Sequence, residues 1–131
     1  MKVLLKERHL RYDRTPITEG KSKPDFLFPG IREYHDPAFP ETLLTMIGSK
    51  TTAKDRWRQI LVEADRIWNK HLLTLQPGIS DSQFKEIIVE HHVTLVIPLE
   101  IRQTYSPANQ DRIMTIADFL ELVAKRQRQI A

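Results

Sequence analysis

The sequence predicts an α/β domain in which a mixed β-sheet has helices on both faces. Short apolar runs bounded by Pro and Gly come early in the chain, a long amphipathic segment follows, and helix and strand patterns then alternate. Strands that follow one another in the first part of the chain without a helix between them favour antiparallel pairing. Strands joined through helices pair in parallel, and a sheet of such strands needs helices on both faces. Together these patterns give the mixed sheet.

Five segments are predicted as strands, at 11–17, 24–30, 43–50, 72–75 and 94–97. The first alternates only weakly and suits a sheet edge, whereas the second is a compact apolar run bracketed by breakers. The proline-rich segment between the second and third strands is predicted as a loop.

The clearest helix is predicted over 53–69, where apolar residues recur at i, i+3, i+4 and i+7. Thr52 and Asp55 fit a capping box at its start. Two more helices are predicted, one after Ser80 and a last one opening at Thr115 and ending in basic residues.

Composition predicts one soluble domain over 1–131, since 40% of the 131 residues are hydrophobic and 28% are charged. No apolar run is long enough for a membrane-spanning helix and no signal peptide is recognisable, so a cytoplasmic protein is expected. The absence of cysteine excludes disulfides, thiolate nucleophiles and cysteine-bound metals. A net charge of +3 permits a polyanionic partner without requiring one, and the phosphate-binding loop motifs of nucleotide cofactors are missing.

Two carboxylates and an amine form the candidate catalytic group. Asp25 stands at the mouth of a predicted strand, Lys50 ends the next one, and Glu63 falls in the predicted helix. Carboxylates can hold Mg²⁺ beside a phosphodiester while an amine orients water or stabilises charge. Singly, each residue has an ordinary interpretation: Asp25 as a turn residue, Lys50 as a solvated strand end, and Glu63 as the ion-pair partner of a basic residue about one helical turn away, such as Arg66.

A basic cluster in the first turns of the same helix is the candidate for DNA contact; it comprises Lys54, Asp55, Arg56 and Arg58. Arginine can bond guanine O6 and N7 together and aspartate can accept from cytosine N4 in the major groove. Arg56 and Glu63 are seven residues apart, so one helix face could present both. Two alternatives remain: Asp55 acts only as a helix cap, and the Lys and Arg side chains form an ordinary solvated helix face.

Five stretches of the chain resemble the C-terminal catalytic domain of EcoRII-type restriction endonucleases, which are members of the PD-(D/E)xK superfamily. They are 18–29, 34–37, 48–59, 63–67 and 70–76, and the third reads GSKTTAKDRWRQ. Their order and spacing extend over most of the chain, which makes the match far more specific than a three-residue nuclease pattern.

The resemblance implies a restriction-endonuclease-like core with Asp25 and Lys50 as the motif's aspartate and lysine. Gly48 occupies the place of the usual acidic residue, and its role in binding Mg²⁺ is implied to pass to Glu63. Tyr34 falls at a position that the family keeps near the active site, in a supporting part.

For recognition, the resemblance implies that Lys54, Asp55 and Arg56 read the outer C:G pairs of a CC(A/T)GG-type site in double-stranded DNA. Relatives act as two-fold homodimers on near-palindromic sites, as symmetry favours. The expected activity is therefore sequence-specific, Mg²⁺-dependent DNA cleavage by a type II restriction endonuclease.

Two departures from the family pattern keep other functions open. Relatives carry further helices ahead of the motif region, and they carry an effector-binding N-terminal domain. Three explanations are open: a minimal enzyme, a fragment truncated at its N-terminus by a mis-assigned start, or a decayed remnant. The alternatives are a non-catalytic DNA-binding remnant of the nuclease fold and a mismatch-nicking repair endonuclease.

Overall fold

Five strands form a single sheet in the computed structural model, which describes residues 10–14, 25–49, 57–62, 64 and 66–130. The strands lie in chain order and are β1 (Asp13–Arg14), β2 (Phe26–Phe28), β3 (Thr45–Ser49), β4 (Lys70–Leu73) and β5 (Val93–Val96). β1, β2 and β3 pair antiparallel, whereas β3, β4 and β5 pair parallel. The predicted mixed sheet is therefore confirmed.

The helices connect and cover these strands. They are α1 (Ile31–His35), α2 (Asp81–Lys85), which continues as a π-helical segment (Glu86–Glu90), α3 (Leu99–Arg102), α4 (Pro107–Gln110), α5 (Ile116–Arg128), and two 3₁₀ segments (Glu41–Leu43 and Trp57–Val62). The predicted starts of α2 and α5 are confirmed. The Ser80 side chain accepts from the Gln83 amide at 3.3 Å, and Thr115 forms a reciprocal capping box with Asp118.

The two faces of the sheet bury separate apolar clusters because side chains alternate along each strand. In β2, Leu27 belongs to one cluster and Phe28 to the other. The first cluster packs against the 3₁₀ segment Trp57–Val62 and α2, and the second packs against α5. Helical cover on both faces is thus confirmed.

The predicted helix over 53–69 is wrong beyond Val62. The described part, Trp57–Val62, is 3₁₀, and Ala64 has a positive φ of 53°, which interrupts a right-handed helix. The backbone then turns and enters β4 at Lys70, two residues before the predicted strand. The proline-rich loop prediction is also wrong in part, because α1 lies within that segment.

In the described ranges, no helix combines the length and the apolar character that crossing a membrane requires.

Candidate active site and its surroundings

Asp25 lies beside the carboxyl end of β3. β2 runs antiparallel to β3 with Phe26 opposite Ile47, so the residue before Phe26 approaches the last residues of β3. The backbone amide of Ser49 donates to Asp25 Oδ2 at 2.5 Å. This charge-assisted bond holds the half-buried Asp25 carboxylate at Ser49, the residue that precedes Lys50 in the sequence.

The other predicted catalytic and base-reading residues, Lys50, Glu63, Lys54, Asp55 and Arg56, lie outside the described residues. Their predicted roles therefore stay predictions. Within the described part of the chain no three His, Asp or Glu side chains form a metal-binding group. Asp25 itself is a hard oxygen donor at a partly accessible strand end, which fits Mg²⁺.

The Tyr34 side chain is only 2% exposed, and its hydroxyl is used inside the protein. That oxygen accepts a hydrogen bond from the Arg66 backbone amide at 3.1 Å. The bond ties α1 to the turn that follows the 3₁₀ segment. The predicted supporting part of Tyr34 at the active site stays a prediction.

The Arg66 guanidinium is held in a cage of backbone carbonyls in and after α1. Nη1 donates to the carbonyls of Tyr34 and Asp36, the latter at 3.1 Å, and Nη2 donates to that of Phe39 at 2.8 Å. Nε lies 3.4 Å from a carboxylate oxygen of Glu41. The alternative role of Glu63, as an ion-pair partner of Arg66, stays a prediction because Glu63 lies outside the described residues. The long-range contacts of Arg66 with carbonyls leave no signal in local sequence spacing.

Lys70 ties down the same turn from the other side. Its side chain belongs to a residue only 7% exposed, and Nζ donates to the carbonyls of Ala64 at 3.1 Å and Ile67 at 2.6 Å. A left-handed residue such as Ala64 leaves nearby carbonyls outside regular helix bonding, and a buried ammonium satisfies them. No sequence pattern singles out Lys70, which stands at a strand start.

Arg58 is the one proposed DNA-contacting residue among the described positions. Its Nη2 donates to Glu86 at 2.5 Å, and its guanidinium carbon lies 4.6 Å from the Trp57 ring centroid. The side chain is nonetheless 67% exposed. A contact from Arg58 to DNA would therefore compete with an ion pair to the π-helical segment.

A buried histidine lies under α5. His71 is 3% exposed, its ring packs edge-on to Phe119, and its Nδ1 has no hydrogen-bond partner within the described structure. Burial, aided by the positive charge of Arg126, lowers the pKa of His71 to about 4. His71 is therefore neutral near pH 7.

Sequence comparison relates nearly the whole chain to one family. The family model described as "EcoRII C terminal" matches residues 1–120. The chain is 49% identical over 115 residues to the type II restriction enzyme EcoRII of Escherichia coli, and 28% identical over 107 residues to the type II restriction enzyme SsoII of Shigella sonnei. These matches cover 87% and 80% of this chain but only 28% and 33% of the two relatives.

The fold has counterparts among solved structures. Metal-depleted Ecl18kI in complex with uncleaved, modified DNA superposes with a TM-score of 0.81 at 24% identity, over 98% of this chain and 43% of that one. Its complex with uncleaved DNA gives a TM-score of 0.80. The mixed sheet is thus that of a restriction endonuclease, and the match over residues 1–120 shows that this chain belongs to the EcoRII C-terminal family.

Proposed function

We propose that this chain is a Mg²⁺-dependent endonuclease that hydrolyses phosphodiester bonds in double-stranded DNA at a CC(A/T)GG-type site. The observation that carries the proposal is the bond from the Ser49 amide to Asp25, which brings a strand-end carboxylate to the residue that precedes Lys50. Family membership, relatives named as type II restriction enzymes and DNA in the Ecl18kI complexes support it.

Asp25 and Glu63 are proposed to hold the metal ion. When bound, Mg²⁺ neutralises charge that develops on the phosphate and lowers the pKa of a coordinated water. The Ser49 amide keeps the Asp25 carboxylate oriented as a ligand. Lys50 is proposed to orient the attacking water and to stabilise negative charge at the phosphorus centre.

Base recognition is proposed for Lys54, Asp55 and Arg56, with Arg58 as an additional DNA contact. The exposed guanidinium of Arg58 can reach a phosphate only by leaving or sharing Glu86, so its contribution is expected to be smaller. A homodimer would present two such clusters to the two halves of a near-palindromic site.

Cleavage of defined DNA tests the proposal. The purified 131-residue chain is incubated with Mg²⁺ and a plasmid that contains CC(A/T)GG sites, and discrete fragments ending at those sites are expected. Lys50→Ala should abolish cutting while DNA binding, measured without divalent metal, persists. Lys85→Ala serves as the control because this exposed lysine lies on α2.

The same assay separates the alternatives. Salt-dependent duplex binding without cleavage in Mg²⁺ or Mn²⁺ would reject the enzyme and favour the non-catalytic remnant. Cutting of one strand only, at a mismatch, would favour the repair endonuclease.

Arg56→Ala tests recognition separately. Loss of a bidentate base contact should reduce discrimination against a substituted outer C:G pair by about 1–3 kcal/mol. Unchanged site preference in this variant would reject its role in reading bases.

A further inference from the structure

We infer that Arg66 and Lys70 are positioning residues that set the metal affinity of the proposed site by fixing the turn directly after Glu63. The inference rests on the proposed function. It begins from the turn itself: Ala64 is fully buried and has a φ of 53°, a left-handed conformation that cannot continue a right-handed helix.

A left-handed alanine persists only where surrounding contacts enforce it, because that conformation costs roughly 1 kcal/mol or more for a residue with a Cβ. The Ile67 amide donates to the Ala64 carbonyl at 2.9 Å, which closes the turn. Lys70 Nζ donates to the same carbonyl and to that of Ile67. One buried ammonium thus bonds both ends of the turn.

Arg66 attaches this turn to a second part of the fold. Its side chain donates to carbonyls of Tyr34, Asp36 and Phe39, while its backbone amide donates to the Tyr34 hydroxyl. Planar N–H groups pointing in several fixed directions are specific to arginine, and lysine cannot reproduce them. The turn is therefore fixed against α1 as well as against the start of β4.

Residues that orient a metal ligand typically change metal affinity by roughly 10–100-fold when they are replaced. Glu63, the second proposed ligand, directly precedes Ala64 in the sequence. Loosening the turn should weaken metal binding more than it weakens duplex binding, because the base-reading cluster precedes the turn in sequence.

Isothermal titration calorimetry of the full chain with Mn²⁺ measures metal affinity directly and does not require turnover. Arg66→Met and Lys70→Met should each raise the Mn²⁺ dissociation constant by roughly 10-fold or more. Arg66→Lys should not restore it. DNA affinity without metal should stay within about threefold, and Tm is measured in parallel so that only folded protein is compared.

Arg102→Met is the matched control, because the half-buried Arg102 guanidinium also binds a backbone carbonyl, that of Gln110, at 3.1 and 3.3 Å. Metal affinities of the Arg66 and Lys70 variants equal to that of this control would overturn the inference. Tyr34→Phe, which removes only the hydroxyl at the Arg66 amide, decides the case if the other variants do not fold; an unchanged Mn²⁺ affinity there also contradicts it. If the unaltered chain binds Mn²⁺ independently of Asp25, the proposed function itself fails instead.

Discussion

The Asp25 carboxylate accepts a hydrogen bond from the Ser49 amide at 2.5 Å, which connects the residue before β2 to the last residue of β3. Asp25→Asn retains an acceptor for this amide but removes the negative charge. We therefore expect the fold to persist while Mn²⁺ binding is lost and cleavage slows by roughly a hundredfold or more, as removal of several kcal/mol of metal-dependent stabilisation implies.

Asp36→Asn is the control for that variant. The exposed Asp36 accepts from the Ala38 amide at 2.9 Å, so the same chemical change is made at a similar local contact. Equal losses of Mn²⁺ affinity in both variants would contradict the role of Asp25.

Tyr34→Phe should destabilise the protein. The variant leaves the part-buried Arg66 backbone amide without the hydroxyl that now accepts from it at 3.1 Å. A buried amide that loses its acceptor costs about 1–3 kcal/mol, which should appear as a fall of several degrees in Tm. Tyr12→Phe is the comparison, since the Tyr12 ring packs beside Phe26 in the partly exposed β1 region; an equal fall there would argue against the specific contact.

His71 should make stability depend on pH. Its pKa is lowered from 6.5 in the unfolded chain to about 4 in the folded protein, mainly by burial. Below pH 6.5 His71 binds a proton in the unfolded chain but not in the folded protein. The free energy of unfolding therefore falls as pH drops, until about pH 4. The full loss is about 3 kcal/mol.

Urea unfolding at several pH values between 7 and 4 measures this effect. His71→Leu should flatten the dependence, whereas His35→Gln, at an exposed position, should leave it in place. A curve for His71→Leu as steep as that of the unaltered chain would contradict the assignment.

Arg126 should control the pKa of His71. From α5 its guanidinium donates to the Leu44 carbonyl at 3.0 Å and to Thr45 Oγ1 at 2.7 Å, and its charge helps to lower the pKa of His71. Arg126→Met should raise that pKa above 4, although it should stay below 6.5 because burial, the larger cause, remains. NMR titration of the His71 ring measures the shift.

Arg128→Met controls for the loss of one positive charge from α5. Arg128 pairs with Glu121 at 3.1 Å, with both side chains largely exposed, so its removal should leave the pKa of His71 unchanged. A shift as large as that of Arg126→Met would show a general charge effect instead.

The strands and the capped helices could be predicted because their signals are local. β2 and β3 follow apolar runs between breakers, and Ser80 and Thr115 make their caps within three residues. The helix α1 could not, because its first amide, that of Ile31, is bound by Asp13 of β1 at 2.7 Å. A cap supplied from 18 residues away leaves no pattern around the helix it caps.

The candidate site was predictable only where strand ends imply proximity. Asp25 could be located at a sheet end from the apolar run after it, and the structure adds its bond to Ser49. The amphipathic period continued past Val62, but it does not reveal that Ala64 turns left-handed. Arg66 and Lys70 fix that turn by donating hydrogen bonds to backbone carbonyls. Because every residue has a backbone carbonyl, the amino-acid types in the sequence do not indicate which residues accept these bonds.

A crystal structure of the chain grown with Mn²⁺ and duplex DNA that contains a CC(A/T)GG site shows whether Asp25 and Glu63 bind the same metal ion. Anomalous scattering locates the ion. We expect one ion with oxygens of both Asp25 and Glu63 at about 2.1 Å, and the Lys50 amine next to the scissile phosphate. A Glu63 carboxylate turned away from an ion at Asp25, or no ion at Asp25 at all, would rule out a metal site shared by these two carboxylates.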